Sequence, residues 1–228
     1  MSLRVNSVSK NYGSMAAVVD LDLACDQGEM LALLGPSGCG KSTTLKMLAG
    51  IELPSAGTIS IKDRNVTALP PNLRNIAMVF EDYALYPHMT ALQNITFPLK
   101  VRGYSAAEIA DRSSKIVELL GLQDLVSKRV AKLSGGAQQR ISIGRALIRD
   151  PDLILFDEPL SHLDADQKTQ LRSEIKRLQK TVGVTSILVT HDQTEAFAMS
   201  DRVAVMNKGV VQQVDDPLVL YQAPANVF

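Results

Sequence analysis

The stretch Gly35-Pro36-Ser37-Gly38-Cys39-Gly40-Lys41-Ser42-Thr43 limits what this chain can fold into more than any other. It fits G-x-x-x-x-G-K-[ST], a glycine-rich loop that cradles phosphate groups. Gly35, Gly38 and Gly40 open backbone conformations that a Cβ closes. The loop can then curl and aim successive N–H groups at anionic oxygens. Such a loop needs a strand before it and a helix after it. Met30 to Leu34 (MLALL) is an apolar run of strand length, and Ser42 to Ala49 (STTLKMLA) reads as a helix whose N-terminal dipole adds to the anion site. Lys41 is expected to lay its ammonium group on β- and γ-phosphates, and the Ser42 hydroxyl to bind Mg²⁺. The pattern implies a nucleoside triphosphate bound at a strand–loop–helix turn.

The rest of the chain supplies strands and helices around that turn. Leu3 to Val8 alternates apolar and polar residues, a half-buried strand, and Lys10 to Gly13 reads as a turn carrying one aromatic. Ala17 to Ala24 is a second strand, Thr58 to Lys62 a third and Ile76 to Phe80 another. From about Thr90 to Arg149 the pattern becomes helical. Ile109, Ile116, Val117 and Leu120 share one face of a helix over Ala106 to Leu120, and a second helix runs from Ala137 to Arg149. Beyond it come a buried strand at Leu153 to Phe156 and a helix at Ala165 to Thr181 with Leu171, Ile175, Leu178 and Val182 in line. The charges between Lys168 and Lys180 read as its solvated face. A strand at Ser186 to Thr190, a helix at Gln193 to Met199 and strands at Arg202 to Asn207 and Val210 to Val214 close the chain. Alternating strands and helices imply a mostly parallel sheet, and the leading strands imply an antiparallel edge.

Composition narrows the function. With 24 Lys+Arg against 24 Asp+Glu the formal charge is zero, which excludes a general polyanion binder, so no nucleic-acid partner is expected. No apolar run approaches the ~18 residues that span a bilayer, and the N-terminus does not read as a signal peptide. Cys25 and Cys39 are not expected to pair, because Cys39 sits inside the phosphate loop and a nucleotide site implies a reducing compartment.

Five more stations bear on the chemistry. Asp157 follows four apolar residues, which puts its carboxylate at the C-terminal end of a buried strand, where α/β folds gather ligands and where phosphate-loop enzymes hold Mg²⁺. Glu158 follows on the opposite side of the strand period, placed to orient or deprotonate a water that attacks the γ-phosphate. Leu133-Ser134-Gly135-Gly136 at a helix start offers a hydroxyl and free N–H groups, a second anion-binding terminus; the spacing does not say which phosphate it meets. His191 stands at a strand terminus near the expected γ-phosphate. Tyr12 either stacks on a base or packs as an ordinary surface aromatic.

In this order the stations resemble the ATP-binding cassette family. The phosphate loop is similar to its Walker A motif, and Leu153 to Glu158 (LILFDE) to its Walker B motif with the catalytic glutamate. Leu133 to Arg140 (LSGGAQQR) resembles the family signature, Ser161-His162-Leu163-Asp164 the D-loop and His191 the switch histidine. Val79 to Met89, Thr190 to Gln193 and Leu220 to Phe228 are similar to ATPase subunits of bacterial carbohydrate importers of the maltose and glycerol-phosphate type. The resemblance implies an α/β fold: a phosphate-loop, RecA-like core with a mixed sheet, an antiparallel β edge and an inserted helical subdomain. The core would span about 1–89 and 150–228, the helical subdomain about 90–149, and residues 1–228 would form one nucleotide-binding domain.

The same resemblance implies ATP and Mg²⁺ as cofactors and Glu158 and His191 as catalytic residues. Tyr12, Gly35, Pro36, Ser37, Gly38, Cys39, Gly40, Lys41, Ser42 and Thr43 would hold nucleotide, and Ser42, Asp157 and Glu81 would hold Mg²⁺. Two copies would pack head to tail, with Ser134, Gly135, Gly136 and Asp164 of one chain meeting the nucleotide of the other. ATP would close this homodimer and hydrolysis reopen it, driving import of a sugar or sugar phosphate. The implied partners are two membrane permease subunits and, through them, a solute-binding protein, and the implied place is the cytoplasmic face of the cell membrane. Three departures stand out: Glu81 where the family usually has Gln, Ala137 where the signature usually ends in Gln, and a chain that stops at Phe228 where maltose-type subunits continue into a regulatory domain, so that domain is expected to be absent. A non-transport cassette ATPase of the DNA-repair or ribosome-associated kind is the alternative; one cassette, no sustained heptads and zero net charge count against it.

Overall fold

Met30–Leu34 and Ser186–Thr190 are buried at every position, and Leu153–Asp157 at all but its last. Strands without polar alternation belong inside a parallel sheet covered on both faces. The computed structural model describes residues 1–228 and places all three in the middle of one sheet. In chain order the elements are β1 (Leu3–Tyr12), β2 (Met15–Cys25), β3 (Met30–Leu34), α1 (Lys41–Ala49), β4 (Ala56–Ile61), β5 (Arg64–Asn65), β6 (Ile76–Val79), α2 (Ala91–Val101), α3 (Ala106–Leu119), α4 (Gly135–Leu147), β7 (Leu153–Asp157), α5 (Ala165–Val182), β8 (Ser186–Thr190), α6 (Gln193–Met199), β9 (Arg202–Asn207), β10 (Val210–Asp215) and α7 (Pro217–Gln222). The chain divides into two units: Met1–Met78 with Asp152–Glu158 and Arg172–Phe228, and Val79–Pro151 with Pro159–Leu171.

The six-stranded sheet has the order β10-β9-β3-β8-β7-β6. β3 lies parallel to β8 and β9, β7 parallel to β8, and β10 antiparallel to β9, so the sheet is mixed. The leading strands do not join its edge. They make an antiparallel sheet of their own, β2-β1-β4-β5. β1 also runs past Val8 to Tyr12, which pairs with Met15, so the expected turn at Lys10 to Gly13 shrinks to Gly13 and Ser14. Register shifts after Val5, Val8 and Lys10, with Ser7 at φ 45, break the apolar alternation that a period-two reading depends on.

The core of the first unit gathers Leu31 and Leu33 from β3, Leu45 and Leu48 from α1, Leu155 from β7, and Ile187 and Val189 from β8. Among these apolar groups lies Arg74, 2% exposed. It donates to Met47 O (2.7 Å) and Leu48 O (2.9 Å) at the end of α1, and to Leu69 O (2.7 Å) and Thr67 O (3.0 Å). A guanidinium on the last carbonyls of a helix completes their hydrogen bonding and answers the negative end of the dipole. Along α5, Leu171, Ile175 and Leu178 are buried as their spacing predicts, whereas Val182 is 43% exposed because the helix ends there. Nor is the charged face of α5 simply solvated: Lys176 and Lys180 reach Asp201 at 2.8 and 2.9 Å.

In the second unit, α2 and α3 start with reciprocal capping boxes, Thr90 with Gln93 and Ser105 with Glu108. Val117 and Leu120 are buried, and a Cβ on Gly144 of α4 would stand 2.8 Å from Leu120 Cδ1. Gly144 is what lets α4 approach the apolar side chains of its neighbours so closely. No helix is long and apolar enough to cross a membrane.

Candidate nucleotide site

The phosphate loop joins β3 to α1 with Gly40 at the helix N-cap in a left-handed conformation, φ 107, and no side chain caps the helix. The first-turn N–H groups are therefore left for an anion. The glycines have different tasks. A Cβ at Gly40 would meet Ala17 O at 2.7 Å, and one at Gly35 would meet Met206 O at 2.2 Å and Cys39 Sγ at 2.7 Å. Gly35 is thus required by the close approach of β9, not by its φ. Lys41 is 5% exposed, and its Nζ donates to Gly35 O (2.7 Å) and Pro36 O (3.0 Å), which holds the ammonium over the loop. Cys39 is buried and its carbonyl accepts from Gly209 N at 3.0 Å, tying the loop to the β9–β10 turn.

Asp157 ends β7 as its apolar run requires. Glu158 does not continue the strand alternation. Its φ is 43, and its amide donates to Val189 O at 2.9 Å. That turn carries its carboxylate to His191, with Oε2 2.9 Å from Nδ1. A carboxylate can only accept, so Nδ1 carries the hydrogen in this contact. The loop behind His191 is braced: Thr190 Oγ1 donates to Glu195 Oε2 (2.8 Å) and accepts from Asp192 N (3.0 Å), while Asp192 caps α6 through Thr194 N and Glu195 N. Asp192 with Glu195 three positions on is a capping signal that the sequence displays. Tyr12 is 40% exposed at the end of β1, with Lys10 Nζ 4.9 Å from its ring centre.

Tyr12, the phosphate loop, Asp157, Glu158 and His191 belong to the first unit; Glu81, Ser134, Gly135, Gly136 and Asp164 belong to the second. Ser134 is the N-cap of α4, and its hydroxyl caps nothing within the chain. A Cβ on Gly135 would meet Leu163 Cδ2 at 2.9 Å, while one on Gly136 would meet only Leu171 Cδ1 at 3.6 Å. Ala137 is buried. The Asp164 carboxylate accepts from Gln167 N at 2.9 Å and so caps α5. Glu81 Oε1 lies 3.7 Å from His162 Nε2.

Arg74, Ser142 and Arg145 are held by bonds to backbone carbonyls and Tyr83 stands at a left-handed backbone angle, and none of these leaves a local sequence pattern.

The family model described as "ABC transporter" matches residues 18–161. The chain is 51% identical over 99% of its length to the trehalose/maltose import ATP-binding protein MalK of Thermococcus litoralis, covering 62% of that protein. It is 49% identical to the xylose/arabinose import ATP-binding protein XacJ of Haloferax volcanii (99% and 59% covered) and 50% to the sn-glycerol-3-phosphate import ATP-binding protein UgpC of Chromohalobacter salexigens (100% and 62%). The chain therefore spans about three fifths of the length of these curated relatives. Among solved structures, the dimeric ATP-binding cassette MJ0796 bound to ADP and Pi in a post-hydrolysis state is 29% identical with a TM-score of 0.79, over 94% of this chain and 98% of that one. The cbiO1 structure from Clostridium perfringens, part of the ABC transporter complex cbiONQ, is 27% identical with a TM-score of 0.88, over 97% and 95%. The chain belongs to the ABC transporter family.

Proposed function

We propose that this chain binds and hydrolyses ATP to energise import of a sugar or sugar phosphate. The observation that carries the reading is the pairing of an uncapped phosphate-loop helix with the Glu158–His191 contact on one unit. Lys41 would exchange two neutral carbonyls for β- and γ-oxygens. Ser42 and Asp157 suit a hard divalent cation, with a hydroxyl at the helix start and a carboxylate at a strand end, and Glu81 is the third candidate ligand. Mg²⁺, when bound, supplies charge that offsets the crowded phosphate oxygens. Glu158 takes up the proton of the attacking water. His191 holds that carboxylate in place and turns its other ring nitrogen toward the γ-phosphate. Ser134, Gly135 and Gly136 close on the nucleotide of a second copy, with Asp164 beside them, and Tyr12 stacks on the base.

The printed functions of the relatives, import of trehalose, maltose, xylose, arabinose or glycerol 3-phosphate, support the solute class. The dimeric solved cassette supports the homodimer. Membrane permeases, a solute-binding protein behind them and a place on the cytoplasmic face of the membrane complete the proposal. The test is Glu158→Gln with ATP and Mg²⁺. It should bind ATP as the parent does, lose at least ~100-fold in turnover as a deleted general base predicts, and elute at the dimer mass. Turnover at the parent rate would remove Glu158 from the mechanism.

A further inference from the structure

Two consecutive residues with side chains, Tyr83 and Ala84, stand in the left-handed region at φ 61 and φ 46, just after Glu81. A Cβ makes that region costly, so something must hold both residues there. Asp82 contributes a local bond, accepting from Ala84 N at 3.2 Å. The remainder comes from α4. Arg145 donates to Ala84 O (2.7 Å) and to Tyr83 O (2.9 Å), and Ser142 Oγ donates to the same Tyr83 O at 3.0 Å. The guanidinium also lies 5.6 Å from the centre of the Tyr86 ring. Tyr83 is buried, and its hydroxyl lies 3.5 Å from where a Cβ on Gly135 would stand. The loop is thus gripped along α4, from its first residue to its last turn.

We infer that Arg145 is a positioning residue for Glu81: its fork on the carbonyls of Tyr83 and Ala84, seconded by Ser142, keeps this strained loop, and so the Glu81 carboxylate, in one conformation. A fork is needed because two adjacent carbonyls turned the same way by left-handed residues present two acceptors to one planar group. A lysine can serve one of them well but not both. The inference rests on the reading of Glu81 as a Mg²⁺ ligand, and it makes the signature helix and the Glu81 loop a single mechanical piece.

Arg145→Lys, Ser142→Ala and Arg145→Lys/Ala84→Gly are compared with the parent by three measurements. These are hydrogen exchange of residues 82–86, binding of a fluorescent ATP analogue in EDTA, and the Mg²⁺ concentration for half-maximal hydrolysis. Arg145→Lys is expected to speed exchange in that segment and raise the Mg²⁺ requirement about tenfold, as loss of one charge-assisted bond predicts, with metal-free nucleotide binding unchanged. Ser142→Ala should do the same more weakly. Ala84→Gly should recover part of the loss, because glycine adopts the left-handed conformation without strain. Parent-like exchange in both single variants would overturn the clamp. An unchanged Mg²⁺ requirement in an active Arg145→Lys protein whose loop has loosened would overturn the positioning of Glu81. If Arg145→Lys does not fold, Ser142→Ala carries the same decision. A parent without Mg²⁺-dependent hydrolysis would instead sink the ATPase reading, and the exchange measurement would still decide the clamp.

Discussion

Glu81 puts a carboxylate where the family usually has an amide, and the nearest basic group is His162, 3.7 Å away with both side chains exposed. An exposed pair of this kind is worth at most ~1 kcal/mol even with the imidazole protonated, so it leaves the carboxylate charge in place. Glu81→Gln is therefore expected to increase hydrolysis at saturating Mg²⁺, by about two- to fivefold for a fraction of a kcal/mol to ~1 kcal/mol of relieved repulsion. ATPase rates of the two proteins across a Mg²⁺ titration measure it, and identical curves would refute it. Lys41 is a different case, since its ammonium is buried and directed by two loop carbonyls. Removing a charge-assisted donor costs ~1.5–3 kcal/mol, so Lys41→Ala should weaken ATP binding by about 10- to 100-fold. Equilibrium titration with a fluorescent analogue reads this directly.

At the scale of elements, the phosphate-loop helix is held at both ends by different means. Its N-terminus is left open, while its C-terminus is closed by Arg74 and by Gly50 at φ 77. A Cβ on Gly50 would collide with the Arg74 guanidinium at 2.4 Å, so the two positions depend on each other. Arg74→Met would remove the side-chain donor from four carbonyls, Met47 O and Leu48 O in buried contacts and Leu69 O and Thr67 O in partly buried ones, with only Met47 O keeping a bond from Gly50 N. The expected loss is ~3 kcal/mol, seen as a lower urea midpoint with unchanged slope. On α4, Gly144→Ala would force a methyl group to 2.8 Å from Leu120 Cδ1, and overpacking of this kind costs ~1–3 kcal/mol. Gln139 on the same helix is fully buried with neither amide atom bonded.

At the scale of the molecule, Asp201 ties α5 to the start of β9 and to β3. Burial pushes its carboxyl up, but bonds from Lys176, Met30 N and Lys180 outweigh that, and the net shift is below the ordinary value. A carboxyl depressed in the folded state stabilises at pH above its unfolded value, and the contribution is lost as pH falls through the folded value. Asp201→Asn should thus be less stable than the parent near neutral pH, with the gap closing as both are taken into acid. Thermal melts at a series of pH values test it; a constant gap would refute it. Assembly belongs to this scale as well. Ser134→Arg places a large cation at the N-cap of α4, where the Ser134 hydroxyl is bound to nothing within the chain. Adding it to Glu158→Gln should leave ATP binding in place and abolish the ATP-dependent dimer peak in size exclusion.

The sequence by itself determined the strands buried on both faces, the phosphate loop between β3 and α1, and the strand-end placement of Asp157. Each depends on residues a few positions apart: an unbroken apolar run, a glycine spacing, a cap. The split of the leading strands into a separate sheet was not legible, because bulges in β1 erase its alternation and strand partners lie far away in sequence. The same holds for the left-handed turn at Glu158 that brings it to His191, and for the grips of Arg74 and Arg145. In these cases the partner is a backbone carbonyl, which every residue carries and no residue type announces. Only the tertiary structure decides which carbonyls come within reach of which side chain.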